Sequence, residues 1–106
     1  MILVMTTTGT ADEAQRIGRE LVERRLAACV QVDGPITSIY RWDGAVETSP
    51  EWRLTTKTRR ESFNAVAAAI RELHSYQLPE IVAIDVAGAS PEYRAWVEMA
   101  TGEVFR

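Results

Sequence analysis

Two rhythms of apolar and polar residues run along this chain, one with a period near two and one with the period of a helix. Ile2 to Thr7 is a short run of β-branched or apolar residues and predicts a buried strand. Gly9 and Thr10 break it. Thr10 and Glu13 have capping-box spacing, in which the hydroxyl satisfies an orphan N–H and the carboxylate reaches back. Ala14, Ile17, Leu21 and Val22 then recur at helical spacing with Arg and Glu between them, predicting a helix from Ala11 to about Arg25. Ala28 to Val32 predicts the second strand, interrupted at Asp33-Gly34-Pro35 by a bulge or kink. From Ile36 to Trp42 the alternation resumes: Ile36, Ser38, Tyr40 and Trp42 share one face, and Thr37, Ile39 and Arg41 the other. Asp43-Gly44 is a hairpin signal, because a type I′ turn needs positive φ at both positions. The third strand is expected from Ala45 to Thr58, disturbed at Ser49-Pro50.

Thr58 and Glu61 repeat the capping-box spacing, and Phe63, Val66, Ala67, Ile70 and Leu73 make a second helical stripe. Leu78-Pro79 closes that connection. Ile81 to Val86 predicts a fourth strand. Ser90 with Pro91 marks the start of a short third helix whose apolar face carries Tyr93, Trp96, Val97 and Ala100. Val104-Phe105 is expected to add an edge strand. The order β-α-β-β-α-β-α, two β-α-β halves around a central hairpin, predicts an α+β fold: a ferredoxin-like split βαβ sandwich in one domain over residues 1–106. Its helices are expected to cover one face of an antiparallel sheet.

The hairpin is long for so small a chain. At ~3.3 Å per residue each arm reaches roughly 45 Å, against typical strands of about 5–6 residues. A chain of 106 residues is about 30 Å across on the usual scaling. The tip must bend back onto its own sheet or leave the body. It carries Tyr40, Trp42 and Trp52, which are costly to leave in water, so packing against another subunit is favoured over folding back.

Composition narrows the function. Twelve basic and fifteen acidic residues give a net charge of −3, which supplies no basic face for nucleic acid. The longest wholly apolar run, Ala65 to Ile70, is far short of the ~20 residues that cross a bilayer, so no membrane partner is expected. No charged segment follows Met1, so no signal peptide is expected. A single cysteine cannot form an internal disulfide, which points to a reducing, cytoplasmic compartment.

The candidate chemistry is sparse. Cys29 and His74 are the only thiol and imidazole, too few for a four-ligand structural zinc site within one chain. His74 with carboxylates such as Glu80 can offer an open or intersubunit metal site. Cys29, between Ala28 and Val30, reads as a small core hydrophobe ahead of a ligand. His74 reads equally as a helix C-terminal residue. Ser75 adjoins it, but no nucleophile elbow surrounds it, and no phosphate-cradling glycine loop is present, so no catalytic residue is assigned. Glu51 and Lys57, six residues apart, share a pleat face that reads as solvated or as lining a cleft. Lys57 is the only lysine among the basic residues.

Several segments together resemble the CutA family of divalent-ion tolerance proteins. Leu21-Val22 through Arg25-Leu26-Ala27-Ala28-Cys29-Val30 resembles its helix-to-strand segment. Ser38 to Gly44 matches its S-x-Y-x-W-x-G hairpin, Lys57-Thr58 its K-T, and His74 to Ile81 its H-x-Y-x-x-P-E segment. Tyr93 and Trp96 match its closing helix. Gln31 stands where the family usually has Asn, and Ser75 where it usually has Pro. The resemblance implies a homotrimer of ferredoxin-like subunits whose hairpins wrap their neighbours, with Tyr40, Trp42, Trp52, Lys57 and Tyr76 at the intersubunit cleft or interface. It implies a role in divalent-metal tolerance without established catalysis. The ion implied is copper(II) or another divalent metal, as ligand rather than required cofactor, with His74, Glu80 and Cys29 as candidate ligands. It leaves open an alternative, a trimeric signalling module like the PII proteins that binds a small ligand between subunits.

Overall fold

In the first strand, β1 (Ile2–Thr8), the even-numbered side chains Ile2, Val4, Thr6 and Thr8 are buried against the helices. In this computed structural model, which describes residues 1–102, β1 is followed by α1 (Ala11–Glu23), β2 (Cys29–Trp42), β3 (Ala45–Thr58), a 3-10 turn (Arg60–Ser62), α2 (Phe63–Leu73), β4 (Val82–Asp85) and α3 (Pro91–Ala100). The four strands form one antiparallel sheet in the order β2-β3-β1-β4, the arrangement the split βαβ pattern predicts. The expected strand at Val104-Phe105 lies outside the described residues.

The register decides which side chains make the core. Ile2 stands opposite Thr58, Val4 opposite Thr56, and Thr6 opposite Leu54, so the even positions of β1 and β3 share the covered face. Ala14, Ile17 and Leu21 of α1 and Val66, Ala69 and Ile70 of α2 close over them. The odd positions, Leu3, Met5, Thr55 and Lys57, point to the other face with Val82 and Ile84 of β4. α3 does not join the layer of α1 and α2. Its Tyr93 meets Lys57, which leaves the sheet on the opposite pleat.

α1 ends at Glu23 rather than near Arg25. Arg25 takes positive φ (61°), and the Leu26 and Arg25 amides donate to Leu21 and Val22 carbonyls, closing the helix as a Schellman motif without glycine. The guanidinium supports this conformation by donating to the Gly102 and Met99 carbonyls at 3.0 and 2.8 Å, which ties the end of α3 to the end of α1.

Neither capping box forms as the spacing predicts. Thr10 accepts the Glu13 amide at 3.1 Å, but the Glu13 carboxylate turns outward to Ser75. Thr58 is still in the sheet, so its hydroxyl donates inward to the Leu26 carbonyl at 2.6 Å, and α2 starts after the 3-10 turn.

β2 is continuous, with a register shift between Asp33 and Ile36 where the break was expected. Gly34, at φ 159°, lies against Trp52. A Cβ there would sit 2.5 Å from the indole ring. Trp52 is therefore half-buried in its own subunit, packed on the core, which corrects its placement among the exposed hairpin aromatics. β3 runs through Ser49-Pro50 without a break in pairing. The Asp43-Gly44 turn has positive φ at both residues, 50° and 80°.

β1 pairs with β3 only as far as Trp52, so among the described residues Ile36–Trp42 and Ala45–Glu51 have only each other as strand partners. This two-stranded ribbon leaves the body. The molecule measures 51 × 28 × 21 Å with a radius of gyration of 14.6 Å, against about 13 Å for a compact chain of this length.

Candidate functional site: a cleft between the ribbon and the turn after α2

α2 ends at His74, whose amide closes the helix on the Ile70 carbonyl at 2.9 Å. Its imidazole is fully enclosed. Nδ1 accepts the Tyr76 amide at 3.0 Å, so Nε2 is the protonated nitrogen and donates to the Thr7 carbonyl at 2.7 Å. Both ring nitrogens are committed to the backbone. One Glu13 carboxylate oxygen lies 3.7 Å from Nδ1, and the same carboxylate accepts the Ser75 amide at 2.7 Å and the Ser75 hydroxyl at 3.0 Å. The segment His74-Ser75-Tyr76 is thus clamped at each residue between α1 and the end of β1.

The clamp aims Tyr76. Its ring packs on His74 with centroids 4.7 Å apart, and its hydroxyl donates to Glu51 Oε2 at 2.8 Å. Glu51 is only 8% exposed, although it sits where β3 enters the ribbon. Burial, and then the Glu51 carboxylate, hold the Tyr76 phenol well above its ordinary range. Gly9 approaches the same hydroxyl; a Cβ there would come within 3.3 Å of it.

Between this group and the ribbon opens a cleft of about 730 Å³. Ser38, Tyr40 and Trp42 line it from the ribbon, and Tyr76, Pro79 and Glu80 from the turn. Its size lies in the range of small-molecule sites. The expected cleft residues Tyr40, Trp42 and Tyr76 come together here, and Glu80 with them.

Other expected site residues lie elsewhere. Lys57 stands at the far end of β3, where its ammonium donates to the Tyr93 hydroxyl at 3.4 Å and lies 5.3 Å from the ring centroid. Cys29 pairs with Lys57 on the face turned away from α1 and α2, half-buried and outside the core cluster. The core reading of Cys29 is corrected by the register, which turns odd positions of β2 away from the helices. Within one subunit Cys29, His74 and Glu80 do not converge: among the described residues no three His, Cys, Asp or Glu side chains group to hold a metal ion.

The sequence placed Glu51 on a strand face, solvated or lining a cleft, and Glu13 in a cap; Glu51 does line the cleft. Their partners, Tyr76 and Ser75, lie 25 and 62 residues away. No local spacing carries that information.

Comparison with known proteins extends these observations along the chain. A family model described as CutA1 divalent ion tolerance protein matches residues 2–100. The divalent-cation tolerance protein CutA of Thermus thermophilus is 40% identical over 100 residues, covering 94% of this chain and 97% of the relative. The protein of that name from Archaeoglobus fulgidus is 36% identical over 95 residues, covering 90% and 92%. The solved T. thermophilus structure superposes with a TM-score of 0.92 over 96% of this chain and all of its own. The A. fulgidus structure, described as periplasmic, superposes with a TM-score of 0.91 at 35% identity, covering 94% of this chain and 98% of its own. Among the described residues no helix is long and apolar enough to cross a membrane. With the sheet order, the long ribbon and the H-x-Y-x-x-P-E turn all in place, the chain belongs to the CutA1 family of divalent ion tolerance proteins.

Proposed function

We propose that this chain, read as one CutA-like unit, works as a homotrimeric divalent-cation tolerance protein that binds a divalent metal such as copper(II) and catalyses no reaction. The protruding ribbon carries the trimer reading. Ile39 is 70% exposed, Val46 63% and Trp42 44%, on a two-stranded element that is marginal alone in water. A second subunit packed on the ribbon would bury these side chains, and Val82 and Ile84 offer a further apolar area on the open sheet face. The family name supports the metal reading. His74, Glu80 and Cys29 remain the candidate donors. Their separation within one subunit favours a site completed by donors from more than one subunit, and His74 would join it only by giving up its bond to the Tyr76 amide or the Thr7 carbonyl. We place the protein in the cytoplasm on its single cysteine.

Native mass spectrometry of the metal-stripped protein, titrated with copper(II) and then zinc(II), tests both parts. A three-subunit mass taking up one or three ions at a fixed stoichiometry is expected. A monomer at micromolar concentration refutes the assembly, and diffuse, non-saturating uptake refutes the metal site. Trp42→Ala should lower the dilution at which the assembly dissociates while leaving subunit secondary structure intact; an unchanged assembly in that variant counts against ribbon packing.

The aromatic cleft of about 730 Å³ favours a second reading, a signalling module like the PII proteins that takes a small ligand there.

A further inference from the structure

Glu51 is the anomaly of the cleft. It is more than nine-tenths buried, and one oxygen takes the Tyr76 hydroxyl. Among the described residues no donor reaches its second oxygen, and no cationic side chain lies within ion-pair distance. Its second oxygen keeps contact with solvent, and a cation arriving there would meet a full charge on a mostly buried side chain. The cleft walls are Tyr40, Trp42 and Tyr76, whose ring faces attract weakly hydrated cations.

We propose that this cleft binds an aliphatic polyamine, with one ammonium on Glu51 Oε1 and the methylene chain along Tyr40. The proposal rests on the ligand-cleft reading above and gives that ligand a chemical class.

Three observations select this class. The first is charge. Glu80 also lines the cleft, and Glu47 stands directly opposite Tyr40 in the ribbon. Among the described residues Arg41 is the one basic residue of the lining, against the carboxylates of Glu51 and Glu80. Two carboxylates to one guanidinium in the lining favour a cationic over an anionic ligand. The second is ligand geometry. A hard divalent cation takes six or more oxygen ligands, whereas no group of three acidic, histidine or cysteine side chains gathers here among the described residues. An ammonium needs only one carboxylate and an aromatic face. The third is shape. Glu51 pairs opposite Ile36, and Tyr40 lies four residues further along β2, roughly 13 Å at ~3.3 Å per residue. A groove of that length suits an extended chain with spaced charges rather than a compact ion.

The test is calorimetric titration of the metal-free protein at physiological ionic strength, with tryptophan fluorescence as a second readout. The probes are spermidine, 1,4-diaminobutane, magnesium(II), copper(II) and ATP. Saturable spermidine binding, tighter than that of the shorter diamine, is expected. Glu51→Gln keeps an acceptor for Tyr76 and removes the charge, so it should weaken spermidine by at least about thirtyfold. Tyr40→Leu leaves Glu51 intact and should weaken it several-fold. Spermidine binding that ignores Glu51→Gln overturns the proposal. ATP binding with no amine binding overturns it and leaves the ligand cleft standing. Copper(II) or magnesium(II) displacing spermidine with the same sensitivity to Glu51→Gln reassigns the site to metal. Silence from every probe removes both the polyamine and the ligand-cleft reading.

Discussion

Thr56 and Thr58 lie two residues apart on the covered face of β3, and both are completely buried. Their hydroxyls differ in one respect. Thr58 donates to the Leu26 carbonyl at 2.6 Å, whereas the Thr56 hydroxyl has no partner among the described residues. Replacing each by Val keeps the branched shape and the strand preference and exchanges a hydroxyl for a methyl. At Thr58 the change removes a hydrogen bond and strands a carbonyl inside the protein, at a cost of about 1–3 kcal/mol. At Thr56 it removes a hydroxyl that was desolvated without compensation, a gain of up to ~1 kcal/mol. The two variants should therefore move stability in opposite directions, about 1–4 kcal/mol apart. Urea unfolding followed by circular dichroism reads this as separated midpoints: with slopes of about 1–3 kcal/mol per molar urea, the gap is on the order of 1 M. Protein concentration must be matched, because any assembly couples stability to it. Equal shifts of the same sign in Thr56→Val and Thr58→Val would refute the assignment of the 2.6 Å bond as the difference between the sites.

The clamp at the cleft makes further predictions. Tyr76→Phe removes the hydroxyl held by the Glu51 carboxylate and should cost about 1.5–3 kcal/mol, falling well below that in a Glu51→Gln background; an equal loss in both backgrounds would show that the two do not act as a pair. The raised Tyr76 pKa adds stability that is fully present below the unfolded value near 10 and is lost as the pH climbs above it. Absorbance titration should show a tyrosine component above the ordinary phenol range that is absent in Tyr76→Phe; a profile without that component would contradict the burial argument. Gly34→Ala puts a Cβ 2.5 Å from the Trp52 ring and should destabilise by about 1–3 kcal/mol with a change in tryptophan fluorescence; a neutral result would mean that the bulge relaxes freely.

The alternation of apolar residues set the strands and the helical stripes set two faces of α1 and α2, because these patterns depend on neighbours two to four residues away. Asp43-Gly44 and Ser90-Pro91 were legible for the same reason: a turn and a cap are local chemistry. The excess length of the hairpin was also readable, since strand rise is constant, and the ribbon does leave the body. Local spacing failed where a side chain had a distant alternative. Glu13 had Ser75 within reach and Thr58 had the Leu26 carbonyl, and in each case the tertiary partner took the group that a cap would have used. Cys29 sits in an apolar stretch, yet its face was decided by pairing with Lys57.

The sequence by itself determined the element order, the ribbon and the family. The tertiary structure alone decided the cleft. A nearly buried carboxylate on β3, a tyrosine 25 residues later and a histidine locked to the end of β1 form one arrangement because the antiparallel register and the end of α2 bring them together. Secondary structure follows from short-range sterics and burial periodicity. A site follows from contacts whose spacing in sequence is set by topology, and no residue pattern along the chain encodes that distance.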